Sequence, residues 1–562
     1  MFSKFFKIFF VLIIFYHGPV YSNIQDINKK FNHKDLSHYF SGIISYNQQK
    51  NSEALKYFNL SKNLKNDHIP YLEQYIKILI HENKIKTAIK ELKKNQGNKN
   101  VEFFESYLLL LIDSILNKDF TQSEKYLSKM NKLGTSNTFE YIIHDSLKNY
   151  LYLFKNKVKF PNKNKLGNLN LINNAFEDCY IGSEETEKSF LKLIDVKDAD
   201  YSRYKFFYAT YLAQKNQENK VKIYLDNIND IRSNLLVSQL KSWIENENLS
   251  KKKNIFSCQK ENHILSEFFY LIANLYTSEE NYFTSNFYLN ISLFLNPDFI
   301  YNYSLIVENF LANENFLGAE KILTHFNKND KIYFWYKTKK KTQIISNKYG
   351  NEEAFKYLNL EFKKIKNPSK KALYDFGNLM KSFGKHELAI EYYNQVLDGL
   401  QKNSILYAEI LYRRGGSYER IGKHNEADRD LIESLELDPD DAYVLNYLAY
   451  SWLERNYKID LAIQMLEKAY KKESDSPYIL DSIGWAYYLI GDFIKAEMYL
   501  KKAVQLMPND PIVNDHYGDI LWNLNRKMQA RYHWMYVQNL EETEQDMLDK
   551  IDLKLLYGLE KL

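Results

Sequence analysis

Apolar and small residues recur along this chain with the spacing of paired helices. Near residue 480 they fall at Leu480, Ile483, Gly484 and Tyr487. That i, i+3, i+4, i+7 step draws one stripe along a helix of about 3.6 residues per turn. Ala496, Leu500, Ala503 and Val504 then repeat the step and predict a second helix whose stripe faces the first. Gly422 and Gly491 predict the ends of first helices, because glycine enters the left-handed region at least cost. Pro439 and Pro508 predict the turns into the next helices.

The two-helix unit itself recurs. Small residues stand at Ala389, Ala427, Ala462, Ala496 and Ala530, at intervals of 38, 35, 34 and 34. Each is followed four residues on by Tyr393, Leu431, Leu466, Leu500 or Trp534. A second series runs through Gly377, Gly415, Ala449, Gly484 and Gly518. These ten positions predict close approach of helix backbones, with large neighbours filling the space beside them. A fainter beat continues upstream at Ala54, Ala88, Ser123, Ser285, Ala319 and Ala354, and Ala273, Tyr276, Tyr282, Leu289, Leu293 and Pro297 form one more unit.

Between 131 and 260 the register is lost, and NKVKFPNKNKLGNLN predicts degenerate helices broken by a loop near Pro161. The expected organisation is divergent repeats over 23–130, a degenerate helical region over 131–260 and divergent repeats over 261–369. A well-matched array follows over 370–540. A capping helix over 541–562 supplies the polar outer face that the end of an array requires. The fold class is all-α.

Asp481 to Pro511, DSIGWAYYLIGDFIKAEMYLKKAVQLMPNDP, carries these features in the order of the tetratricopeptide repeat (TPR), and over 370–540 the chain resembles that family. DSIGWAYY followed by NDHYGDILW more narrowly resembles exported TPR proteins of bacterial cell envelopes. The resemblance implies an α-α superhelix whose first helices line a concave groove for a partner protein or peptide. Carried over by register, the groove positions are Tyr443, Asn446, Tyr447 and Tyr450, then Tyr478, Asp481, Ser482, Trp485 and Tyr488, then Asp515, His516, Asp519 and Trp522. Aromatic anchors among polar groups are the chemistry of binding hot spots. The alternative is that Trp485 and Tyr488 pack between repeats while Asp481 and Asp515 cap helices or bond the neighbouring helix.

Composition agrees with an array. A chain of 562 residues is too long for one core, and 18 Gly and 9 Pro leave little material for the turns of a β fold. A net charge of +5 is small for this length, so nucleic acid is not implied. Two lysine clusters, Lys337 with Lys339, Lys340 and Lys341, and Lys251 with Lys252 and Lys253, read either as solvated faces or as peripheral contacts to anionic lipid or another polyanion.

At the N-terminus Lys4 and Lys7 precede an apolar run from Ile8 to Tyr16, then Gly18-Pro19 and Ser22. This order predicts a signal peptide over 1–22 and export, to the periplasm if the envelope resemblance holds. The run would span roughly 14 Å as helix, about half of a ~30 Å hydrocarbon core, and no Cys follows the cleavage point to carry a lipid. Cys179 and Cys258 read as one disulfide in an oxidising compartment or as two buried thiols.

No catalytic signature survives inspection, and neither metal nor cofactor is expected. GGSYERIGKH, Gly415 to His424, imitates a phosphate loop with the wrong glycine spacing. LDPDDAY, Leu437 to Tyr443, lacks the Gly and Glu of a calcium loop. The expected function is an exported scaffold that binds partner proteins during assembly or traffic of envelope components. Two alternatives stand: an enzyme with its site in 131–260, and a self-associating scaffold whose groove holds its own C-terminal helix. Oligomeric state leaves no mark in the sequence.

Overall fold

The computed structural model describes residues 32–65, 68–97, 99–133, 138–161, 167–196, 202–226, 228–229, 231–245, 254–540 and 543–560. Among them are 29 α-helices and no strand, as the periodicity predicts. The predicted signal peptide and Lys251 to Lys253 lie outside the described residues.

Each hairpin turns at a residue in the left-handed region. Gly422 (φ +73°) and Gly491 (φ +81°) do so as expected, while Asn456 (φ 51°) and Asn525 (φ 61°) take the same place in the repeat after each. The beat runs upstream through Gly384, Gly350, Glu314 and Glu280, and through Lys118, Asn83 and Gln49. It also joins Gly182 to Asn216, 34 residues apart. Repeat-like hairpins therefore occupy the stretch where the small-residue register is lost. There Leu169–Ile181 pairs with Thr186–Ile194, and Ser202–Gln214 packs with Glu218–Asp226.

The chain divides into two compact units, residues 1–228 with 233–337, and 229–232 with 338–562. In unit 1 one hydrophobic core combines residues from Tyr39 to Tyr180 with residues from Ile264 to Ile306. The cause is a fold-back. The pair Glu261–Ser278 and Tyr282–Leu295 returns to pack on first helices of the N-terminal hairpins, Ile69–His81, Phe104–Leu116 and Thr138–Asn156. Phe283 stacks on His81 at 4.0 Å and meets Tyr46 at 5.1 Å, and Asn290 Nδ2 donates to the His81 carbonyl at 3.3 Å. Desolvation there lowers the His81 pKa to about 3, so the ring stays neutral.

Two further ties close this unit. Arg203 is buried, its Nε donating to Glu267 Oε1 at 2.8 Å and its Nη2 to Asn302 Oδ1 at 2.8 Å, with the guanidinium 3.6 Å from the Tyr270 ring centre. Cys179 and Cys258 are joined as a disulfide, Cα atoms 5.8 Å apart.

Unit 2 is a run of hairpins: Lys370–Ser382 with His386–Leu397, Ile405–Arg420 with His424–Leu437, Ala442–Glu454 with Ile459–Lys472, Pro477–Leu489 with Phe493–Leu506, and Pro511–Asn523 with Lys527–Val537. Gln545–Tyr557 follows. The two series of small residues meet within each hairpin. Ala389, Ala427, Ala449, Ala462, Ala496 and Ala530 are fully buried, and each glycine faces the large residue sixteen positions on. Gly377 meets Tyr393, Gly415 meets Leu431, Gly484 meets Leu500 and Gly518 meets Trp534. A Cβ at Gly484 would stand 2.7 Å from Leu500 Cγ, well inside contact distance. Unit 1 uses the same step once, where Gly42 meets Phe58.

The motif lookalikes are structural. Gly415 and Gly416 lie inside a helix, and Asp441 caps the next helix by accepting from the Tyr443 and Val444 amides at 2.9 and 3.1 Å.

Candidate partner-binding face

In unit 2 the first helices of successive hairpins touch one another, whereas the second helices approach their counterparts less closely. In a curved stack the closer layer is the inner one, so the first helices of unit 2 line its inner side. All thirteen residues assigned to the groove are on these helices.

The structure divides them by what they touch. Tyr443 and Tyr478 occupy the same place in consecutive first helices and are 52% and 60% exposed. Such rings are large apolar groups left in water, the raw material of an interface. One turn on from Tyr443, Asn446 is half-buried, and among the described residues its buried Oδ1 has no hydrogen-bond partner.

A second group spans neighbouring repeats. Tyr447 meets the Tyr412 ring edge-on at 5.8 Å and its hydroxyl donates to Glu419 at 3.1 Å. Trp485 stacks on His516 at 4.1 Å and on Tyr488 at 4.7 Å, while His516 Nδ1 lies 3.0 Å from Asp481 Oδ1. Burial works against charge on His516, but Asp481, helped by Asp515 and Asp519, outweighs it and raises the pKa above 6.5. Asn523 Nδ2 donates to the Tyr488 hydroxyl at 3.3 Å. Trp485, Tyr488 and Asp481 thus all take partners in an adjoining helix.

The last first helix is covered by the chain itself. Lys554, on Gln545–Tyr557, places Nζ 2.6 Å from Asp515 Oδ1 and 2.7 Å from Asp519 Oδ1. Asp519 also accepts from Trp534 Nε1 at 3.1 Å; burial, then the Asp515 carboxylate, push its pKa up to about 6 despite Lys554. Gly558 sits against Trp522. Lys554 stands to Asp515 as His516 stands to Asp481, so this helix continues the stack as a further first helix. Ser482 and Tyr450 make local bonds, to the Tyr478 carbonyl at 2.9 Å and to Glu454.

The matches to known proteins fall on the same region. The tetratricopeptide repeat model matches residues 408–441 and 478–510. These two stretches are tetratricopeptide repeats. The TPR repeat-containing protein PA4667 of Pseudomonas aeruginosa is 36% identical over 110 residues, 20% of this chain, and the chain spans only 18% of that relative's length. Among solved structures, TTC0263, a thermophilic TPR protein of Thermus thermophilus, is 18% identical, covering 34% of this chain and all of that one, with a TM-score of 0.29. MamA from Desulfovibrio magneticus is 21% identical, covering 31% and 97%, with a TM-score of 0.27. TPR arrays generally act as protein-binding scaffolds.

Of the Lys337 to Lys341 cluster, Lys339 pairs with Asp375 at 2.6 Å and Lys341 lies over the Tyr357 ring. Among the described residues no group of three or more His, Cys, Asp or Glu is placed to hold a metal ion, and no helix is long and apolar enough to cross a membrane. The backbone beat and the Lys554 contacts are features that the small-residue pattern does not carry. The first is carried at many hairpin tips by Asn, Gln, Glu or Lys and not by glycine, and the second depends on a helix 39 residues beyond Asp515.

Proposed function

We propose that this protein is an exported scaffold that docks partner proteins on the first helices of its 405–489 repeats, in the assembly or traffic of cell-envelope components. The observation that carries the proposal is the exposure of Tyr443 and Tyr478, 35 residues apart at one repeat position, with the Asn446 amide oxygen, unpartnered among the described residues, one turn from Tyr443. Amphipathic rings with a free polar group next to them anchor a peptide at small entropic cost. Export is supported by the order of the first 22 residues and by a disulfide, which persists in oxidising compartments. A binding role is further supported by the hairpins within 131–260, which are of the same kind as the repeats.

The test replaces Tyr443 and Tyr478 together with Ala in the full chain and compares partner proteins recovered from the native cell. Loss of the same partners with an unchanged helical CD spectrum is the expected result, and retained partners would place docking elsewhere. Export is checked by sequencing the mature N-terminus, expected at Asn23. A mature chain still beginning at Met1 would remove the export proposal.

A further inference from the structure

The second helices form the outer side of unit 2, and their outward positions can be compared repeat by repeat. The residues two before and two after each packing alanine are exposed in all five hairpins. Around Ala389, Ala427 and Ala462 they are Glu387 and Glu391, Asn425 and Arg429, and Asp460 and Gln464. Around Ala496 and Ala530 they are Ile494 and Met498, and Met528 and Tyr532. Met535, one turn beyond Tyr532, extends the second stripe, and these five side chains are between 55% and 82% exposed. A single exposed apolar residue is ordinary, but here one outward position changes from polar to apolar in two consecutive repeats, which marks a contact surface.

Charge changes along the same layer. His386–Leu397 carries two carboxylates and no Lys or Arg, and His424–Leu437 carries five carboxylates and one arginine. Phe493–Leu506 and Lys527–Val537 together carry Lys495, Lys501, Lys502, Lys527 and Arg531 against Glu497 alone. Glu497 is already taken by Arg526. Lys502 reaches Asp475 at 2.8 Å and Lys495 lies 3.5 Å from Asp492, while Lys501 is exposed beside the Met498 stripe. The acidic helix Gln545–Tyr557 belongs to the inner layer, as a further first helix.

Exposed Ile and Met with lysines beside them and a Tyr among them have the composition of a face that lies in a bilayer interface. The apolar groups enter the acyl boundary, the lysine stems follow them while the ammonium groups reach back to lipid phosphates, and the Tyr hydroxyl stays at headgroup level. A second copy fits less well: face to face it would set Lys495, Lys501 and Lys527 against themselves, and the matching places in the three preceding hairpins are all polar or charged. Because 386–437 is acidic on this side, an anionic surface is attracted only at the last two hairpins.

We propose that residues 493–537 make a peripheral contact with an anionic lipid surface, in which Ile494, Met498, Met528, Tyr532 and Met535 enter the interface and the flanking lysines bind phosphate groups. The contact is independent of the docking reading above, since it uses the opposite layer of helices.

The test is flotation with vesicles of equal parts phosphatidylglycerol and phosphatidylcholine. It uses the chain from Asn23, the form expected after export, because the apolar run from Ile8 to Tyr16 would bind bilayers by itself. The chain should float with these vesicles at low salt and stay behind with phosphatidylcholine alone. Ile494→Ser with Met528→Ser is expected to weaken partition at least about tenfold, and Lys501→Gln with Lys527→Gln about as much, with helical CD spectra unchanged. Leu317→Ser, at a residue 77% exposed in unit 1, should change it less than about twofold. Tyr443→Ala with Tyr478→Ala should float like wild type. No flotation with the anionic vesicles, or equal flotation of wild type and Ile494→Ser/Met528→Ser, overturns the lipid contact. A dimer in sedimentation that the same variant abolishes would assign the face to a second copy, and a protein crosslinked in the native cell from position 494 or 528 would assign it to a protein partner. Either result also overturns the lipid contact.

Discussion

The two units treat their first helices differently. In unit 1 the hairpin of residues 261–295 returns to cover the N-terminal first helices, with Phe283 against His81 and Tyr46. In unit 2 no such returning hairpin is seen among the described residues; Lys554 covers the last first helix, and Tyr443 and Tyr478 stay more than half exposed. Repeats of one kind therefore build a body that satisfies its own inner face and a second that leaves part of it bare. The lesson is that a repeat pattern sets how hairpins stack, while what fills the inner side depends on chain far away in sequence.

The largest effect expected from breaking this contrast is in unit 1. Arg203→Met strands Glu267 in the core, and losing one partner of a buried pair costs about 3–5 kcal/mol, read as a lower midpoint in denaturant. A change under about 1 kcal/mol would mean that the pair is solvated. Lys554→Met should follow, at about 3 kcal/mol, because it leaves Asp515 and Asp519 facing each other without a cation. Hydrogen exchange should then rise in 511–537 and not in unit 1. Exchange rising evenly along the chain would deny that the C-terminal helix acts locally.

Gly484→Val tests the stacking itself. The added carbons collide with Leu500, so a loss of about 2 kcal/mol is expected by thermal denaturation, against little change for valine at the open Gly491 neighbour Ile490. Tyr443→Ala with Tyr478→Ala should do the opposite of a core mutation. Stability should move by no more than about 0.5 kcal/mol, while partner affinity falls by about 2 kcal/mol, roughly thirtyfold. The smallest effect concerns pH. The His516 pKa is raised above 6.5, so its pairing with Asp481 stabilises the fold below pH 6.5 and is lost as pH rises through the raised value. His516→Gln should flatten that decline by no more than about 1 kcal/mol.

Much of unit 2 was legible in sequence because its signals are local. Gly484 and Leu500 are sixteen residues apart in one hairpin, and both are small or apolar for the same packing reason. In unit 1 most tip residues, Gln49, Asn83, Lys118, Asn216, Glu280 and Glu314, enter the left-handed region without glycine to advertise it, and Gly182 is the exception among the tips named above. The fold-back was not legible at all, since Asn290 and His81 are 209 positions apart and nothing in either hairpin names the other. The thirteen residues of the groove register all lie on first helices of unit 2. The register could not say that Asp481 would be taken by His516, or Asp519 by Lys554, because each pairing is decided by the residue that the next helix presents.

The most direct measurement installs a photo-crosslinking amino acid in the native cell at positions 443 and 478, and separately at 494 and 528, which are 72% and 82% exposed on second helices. Docking on the first helices predicts the same partner bands from 443 and 478 and none from 494 or 528. Partner bands arising from 494 and 528 alone would contradict it.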